Sequence, residues 1–204
     1  MQTLDPNFNA ALQAAPDNGI APVYFFWIVA KSRTNGALTG FGLWSGDQDI
    51  TQQVPDATGA MVSRTYYGGV NLSSGDIKYV AELRDESVTV GMSQIAPAAQ
   101  ELTRGLDPRL GYCELHATSK NGSVFFSVPQ LQMVGIVDDV VVNTPEAGGQ
   151  GRIGYVLRSD LMFQLTKTNP AKSSDTHQKR RQANDEFSKY SGVIKSRPLQ
   201  WYKE

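Results

Sequence analysis

Val23-Tyr24-Phe25-Phe26-Trp27-Ile28-Val29-Ala30 is the longest apolar run in the chain. Its aromatic and β-branched residues suit a strand, and the absence of alternation predicts a strand buried on both faces. Eight residues fall far short of the roughly 20 that a helix needs to cross a bilayer. Directly after it, Arg33-Thr34-Asn35-Gly36 carries an Asn-Gly turn signal and leads into a second run at 38–44. Asn and Gly tolerate the positive φ of tight turns, so the two runs are expected to pair as an antiparallel hairpin.

The same pattern extends along the chain. Further strands are expected at 62–67, 77–83, 87–92, 111–119, 123–137 and 153–165, with a second Asn-Gly hairpin signal at Lys120-Asn121-Gly122. Gly148-Gly149-Gln150-Gly151 reads as a hairpin tip between 137–142 and 153–165 rather than a phosphate cradle, since no Lys-Ser/Thr follows it. Two helices are expected. One spans 5–15, with Asp5 as N-cap and Pro6 in the first turn, stopped by Pro16-Asp17-Asn18-Gly19. The other spans 95–104 and ends at Gly105. Short strands at near-regular spacing define a mainly β fold, with a barrel- or sandwich-like body, one or two short helices and an extended C-terminal arm. The implied domains are an N-terminal helix or arm at 1–19, a β-rich body at 20–166 and a basic C-terminal assembly arm at 167–204.

The chain has 204 residues, 40% hydrophobic and 19% charged, with a formal net charge of −1. A folded chain of this size buries roughly 70% of the surface exposed on unfolding, enough for one large core or two small ones. One cysteine, Cys113, excludes an intramolecular disulfide framework and any multi-cysteine metal or cluster site. The near-neutral total hides an asymmetry. Residues 167–204 hold nine Lys or Arg and four Asp or Glu, a balance of +5. The first 166 hold ten basic and sixteen acidic residues, a balance of −6. The near-zero total argues against specific nucleic acid as the partner. The start, MQTLDPNFNAALQ, shows no basic stretch followed by an apolar one, so synthesis in the cytoplasm without a signal peptide is expected, and no membrane partner.

Each constellation of chemically capable residues fails on spacing or context. Asp47 and Asp49 resemble part of a calcium loop but lack its later Gly and Glu, so a turn with capping carboxylates is the expectation. Asp138 and Asp139 are adjacent, which in a strand sends them to opposite faces and ends any paired-carboxylate role; they are expected to close a strand. Cys113 and His116 likewise face opposite ways, which predicts a buried structural cysteine. Glu82, Asp85 and Glu86 around Arg84 read as a solvated charged turn. Ser173, Ser174, Asp175 and His177 read as a capped helix start, not a triad. No catalytic, cofactor or metal residues are assigned, and the chain is not read as an enzyme. Lys179-Arg180-Arg181, followed by Asp185 and Glu186, reads as a helix face for intersubunit ion pairs.

The order of features resembles the tail-tip or baseplate hub proteins of long-tailed phages and phage-like gene transfer agents. Gly40-Phe41-Gly42 followed by Asp47-Gln48-Asp49-Ile50 resembles their opening. Gly68-Gly69-Val70-Asn71-Leu72-Ser73, 88–92 and the helix at 95–105 are similar to their middle. Ser174-Asp175, Gln178, Arg181, Asp185, Phe187, Tyr190 and Trp201 resemble their closing pattern. The chain departs from the longer hubs in lacking their cysteine-rich segment, so a distal-tail adaptor also fits.

This resemblance implies a structural component of a virion tail tip, without cofactors, in a homo-oligomeric ring. Its partners would be tube, distal tail, tip or fibre subunits. The expected assembly interface comprises Arg180, Arg181, Asp185, Phe187, Tyr190 and Trp201. Two alternatives compete with this reading. One is a polysaccharide-binding β module using Trp44, Tyr66 and Tyr67, and the weaker one is a hydrolase using Asp47 or Asp49.

Overall fold

The computed structural model describes residues 5–78, 87–160, 174–190 and 192. The chain divides into two compact units, residues 1–165 and 166–204. In the first unit the elements run α1 (Pro6–Asn18), β1 (Ala21–Ser32), β2 (Leu38–Trp44), β3 (Ile50–Pro55), β4 (Met61–Tyr66), β5 (Ser73–Ser74) and β6 (Ser87–Ser93). A short helix α2 (Pro97–Gln100) and a π-helical turn (Glu101–Gly105) follow, then β7 (Leu106–Asn121), β8 (Val124–Phe125), β9 (Gln130–Asn143) and β10 (Arg152–Ser159). The fold is mainly β, as its sequence implies.

One antiparallel sheet has the order β2-β1-β7-β9-β10-β6-β5, with β8 added to β7. The hairpin β3–β4 forms a separate two-stranded sheet. The large sheet curls into a half-barrel. Its bulges supply the curvature, since an extra residue on one strand bends and twists the pair. Gln132 is unmatched between the pairs Leu115–Met133 and His116–Leu131. Asp138 is unmatched between Val156–Asp139 and Leu157–Val137. A third register shift lies between Val29 and Lys31 opposite β7, near Leu110, which has a φ of 56°.

The run at 23–30 lies in β1, between β2 and β7, and is packed on both faces. Phe26, Ile28 and Ala30 point into the main core with Leu43, Cys113, Leu115, Val137, Tyr155 and Leu157. Val23 and Phe25 point the other way, into a smaller core with Trp44, Val54 and Tyr66 under the β3–β4 hairpin. Ala99 and Leu102 of α2 and the π-turn are fully buried in the main core. The Thr103 hydroxyl donates to the Ala99 carbonyl at 2.7 Å and lies 2.8 Å from the Tyr155 hydroxyl. Burial pushes the Tyr155 phenol up to about 12.

Several boundaries differ from the sequence reading, each for a local reason. The helix at 95–104 begins only at Pro97 and turns π-helical at Glu101, leaving Ile95 exposed. The run at 123–137 is split into β8 and β9, because Pro129 has no N–H to give a ladder. Strand β9 continues through Asp138 and Asp139 to Asn143, so these carboxylates do not close a strand. Asp138 instead occupies the bulge and pairs with Arg158 at 3.0 Å, while Asp139 Oδ1 accepts from the Val140 N–H. Helix α1 carries Pro16 inside its last turn and ends at Gly19, whose φ is 70° and whose N–H donates to Ala15. Strand β3 has no counterpart among the expected strands. Of the run at 77–83, residues 77 and 78 lie outside any strand and the rest falls outside the described residues, as does the charged turn at 82–86.

The β3–β4 turn is built on one carboxylate. Asp56 Oδ1 accepts from the Thr58 hydroxyl at 2.6 Å and from the N–H groups of Thr58 and Ala60. The Thr58 hydroxyl foremost holds the Asp56 carboxyl below its ordinary value.

Gly42 marks a close approach of hairpin and sheet. A Cβ there would lie 2.5 Å from the Thr65 carbonyl oxygen and 2.8 Å from the Tyr66 ring. Gly42→Ala is therefore expected to destabilise the protein by about 1–3 kcal/mol, as overpacking does, read from the urea unfolding midpoint.

Candidate functional site

Alternation along β7 decides which of its side chains meet the hairpin. Cys113 and Leu115 enter the main core, while Glu114, His116 and Thr118 face the other side. On that side Glu114 is opposite Trp27 and His116 opposite Phe25 of β1. The hairpin then covers them, leaving the Glu114 side chain 2% and the His116 side chain 0% exposed. A carboxylate so placed costs several kcal/mol unless it is neutralised and hydrogen-bonded.

Arg64 of β4 supplies the neutralising charge through a two-pronged contact. Its Nη1 lies 2.5 Å from Glu114 Oε2 and its Nη2 lies 3.3 Å from Oε1. The Tyr112 hydroxyl donates to Oε1 at 2.7 Å. Behind the fork, the guanidinium carbon sits 4.7 Å from the centroid of the Trp27 ring, within cation–π range. Burial first, and then the hydrogen bond to Glu114, drives the Tyr112 phenol well above its ordinary value.

His116 ties the other strand of the hairpin. Its Nε2 lies 2.7 Å from the Pro55 carbonyl, and since a carbonyl only accepts, this nitrogen carries the hydrogen. The same Nε2 is 3.7 Å from Glu114 Oε2. Nδ1 is buried without a partner. Burial is the leading reason that the imidazole is held below its ordinary value, against the pull of the Pro55 carbonyl and Glu114. The Tyr66 hydroxyl lies beside Arg64 but makes no well-formed hydrogen bond, and burial pushes it up to about 12.

Both carboxylate oxygens are engaged and the imidazole is closed to solvent, its Nδ1 buried. What the cluster does is clasp: Arg64 fixes β4 and His116 fixes β3 to the same pair of positions on β7.

The residues singled out in the sequence are scattered. Cys113 is buried at 1% exposure in the main core, on the opposite face from His116, and burial pushes its thiol up to about 12. Asp49 Oδ1 accepts from the Gly68 N–H at 3.0 Å, a turn contact. The neighbouring Gln48 carbonyl accepts from the Trp44 indole at 2.7 Å. Among the described residues no three His, Cys, Asp or Glu side chains converge as a metal-holding group.

Trp44 and Tyr66 are 7% and 0% exposed, and Phe25 packs against both rings. They offer no face to a sugar ring. Tyr67 is 37% exposed but its ring leans on Phe41. The polysaccharide reading therefore loses the open aromatic surface that motivated it.

In the second unit, Ser174 is the N-cap of a helix α3 (Asp175–Arg181). Lys179 pairs with Asp175 at 2.9 Å, one turn back, and Lys189 pairs with Glu186 at 3.3 Å. The Asp175 pairing is the main reason the Lys179 ammonium is raised above its ordinary value. Among the described residues, Arg180 and Arg181 meet no carboxylate. Asp185 Oδ1 accepts from the Phe187 N–H. Phe187 is 90% exposed and Tyr190 59%. Trp201 lies outside the described residues.

No protein-family model and no curated protein matches this sequence. No described helix is long and apolar enough to cross a membrane.

The clasp was missed in the sequence, although a signal was present. Glu114 and His116 are spaced by two inside a predicted strand, so both must take the same face and need a partner on whatever covers it. Removing one partner of such a pair leaves a buried charge. Arg64→Ala is thus expected to cost about 3–5 kcal/mol. The double replacement Arg64→Met with Glu114→Leu should recover most of that loss, and urea unfolding of the three chains checks it.

Proposed function

We propose that this chain is a structural component of a phage or phage-like tail tip, a baseplate hub or a distal-tail adaptor, joining the tail tube to tip proteins. The observation that carries this reading is the state of the C-terminal unit. Phe187 is 90% and Tyr190 59% exposed, and a few residues earlier Arg180 and Arg181 end a helix without meeting a carboxylate among the described residues, in the segment where the resemblance is strongest. Exposed aromatic and arginine side chains within one short segment are what a docking segment offers a neighbour.

The charge division supports the same reading. A +5 segment and a −6 remainder attract when copies meet in sequence around a ring. Exposed ion pairs contribute only about 0–1 kcal/mol each, whereas burying a large aromatic contributes roughly 1.5–3 kcal/mol. The aromatics therefore set the affinity and the arginines the orientation. The partners are further copies of this chain and the tube, distal tail, tip or fibre subunits, and the place of action is the virion tail tip. The protein acts by geometry rather than turnover.

The test is incorporation. In particles assembled with the Phe187→Ala/Tyr190→Ala chain, occupancy at the tail tip, seen by labelled electron microscopy, should fall at least about tenfold. Arg180→Ala/Arg181→Ala should weaken incorporation less, and its effect should shrink as salt rises. Wild-type occupancy with both aromatics removed would overturn the reading. Purified protein should hydrolyse neither cell-wall nor glycan substrate; turnover abolished by Asp47→Asn or Asp49→Asn would place the chain among enzymes instead.

A further inference from the structure

We propose that Arg64, Glu114 and His116 form an acid-released latch, which clamps the β3–β4 hairpin over the sheet at neutral pH and lets it lift when His116 takes a proton. The inference concerns the body's own conformational equilibrium and holds whether or not the chain enters a tail.

The hairpin depends on its attachments, because a two-stranded sheet alone is marginal in water. Its inward apolar contribution is small: Val54 and Tyr66 fully buried, with Ile50 and Val62 partly so. The polar attachments are the Arg64 fork on Glu114 and the His116 ring on the Pro55 carbonyl, one for each strand. The chain leaving β4 then closes the outer edge of β2. The Tyr67 N–H donates to the Gly42 carbonyl at 2.9 Å, and the Tyr67 carbonyl accepts from the Trp44 N–H at 3.1 Å. Lifting the hairpin thus uncovers both the Trp27 face and the backbone edge at 42–44.

His116 is the group of the latch whose protonation the closed hairpin opposes. From β7 it is faced by Glu114, whose carboxylate also takes the Tyr112 hydroxyl, from β4 by Arg64, with Tyr66 on the same strand, and from β3 by the Pro55 carbonyl. The neighbours on β1 and β9, Phe25 and Leu131, carry no charge. A second proton would sit on Nδ1, which is buried with no acceptor, and would set an imidazolium near the Arg64 guanidinium. Among the described residues Glu114 is the counter-charge beside the ring, and its oxygens already serve Arg64 and Tyr112. Opening relieves this, since a lifted hairpin gives the ring water.

The sign follows from linkage. The native imidazole binds its proton more weakly than an unfolded histidine, whose ordinary value is about 6.5. The open state therefore takes up the proton first. Closure is intact above about pH 6.5 and is lost progressively as the pH falls from there toward the native value.

Amide hydrogen exchange on the full chain at pH 7.5 and 5.0, corrected for the intrinsic pH dependence of exchange, tests the latch. Residues 50–66 should lose protection at least about tenfold relative to β9 and β10. His116→Gln keeps a donor for the Pro55 carbonyl but cannot ionise, so its hairpin should show no such loss. Should that variant not fold, the wild-type chain decides by NMR, since it has only two histidines. The midpoint of hairpin opening should then coincide with the titration of His116. Unchanged protection in the wild type, an equal loss in His116→Gln, or titration of His116 while the hairpin stays closed would each overturn the proposal.

Discussion

A carboxylate buried in the middle of a sheet is the constraint around which this body is organised. Glu114 sits in the longest strand, between β1 and β9, on the face that the β3–β4 hairpin covers. Its charge must be met there, and the required cation comes from a residue 50 positions earlier in the chain. That demand draws β4 across the sheet, and β4 brings β3 with it. A purely hydrophobic contact would tolerate sliding by a residue. The two-pronged Arg64 contact does not, because a guanidinium and a carboxylate fit in few relative positions.

The division of labour between the two faces follows from this. The main core is built of aliphatic and aromatic groups from both halves of the sheet, and needs no polar partner apart from the Thr103–Tyr155 contact at its margin. The second face carries an aromatic cluster of Phe25, Trp44, Tyr66 and Phe125 at one end and the ionic clasp at the other. Trp27 links them, edge-on to Tyr66 and beneath Arg64. The hairpin is held by shape at one end and by charge at the other, so conditions that alter charge act on one end alone.

How much of this could be read in advance depended on whether the signal was local. The run at 23–30 announced its double burial because no polar residue interrupts it. The hairpins at Asn35-Gly36 and Asn121-Gly122 were legible because their turns need residues tolerant of positive φ; both glycines have it. The opposite orientation of Cys113 and His116 followed from strand alternation. What could not be read was non-local. Strand β3, Ile-Thr-Gln-Gln-Val-Pro, has too little apolar content to announce itself, and it is a strand because β4 pairs with it and Val54 is buried. Asp138 and Asp139 were expected to end a strand because paired charges usually do; a bulge absorbed the extra residue, and Arg158 of the neighbouring strand took up one carboxylate. Trp44 and Tyr66 looked like surface aromatics until the hairpin's position buried them.

The depth of Cys113 has a consequence for redox chemistry. A thiol pushed up to about 12 has almost no thiolate at neutral pH, and thiolate is the form that oxidises, alkylates or exchanges with disulfides. Set in the main core at 1% exposure, it is beyond the reach of a second chain or a small oxidant while the sheet is closed. The folded body therefore offers no reactive thiol to its surroundings, and a reactive thiol would report that the sheet itself, rather than the hairpin, had come apart.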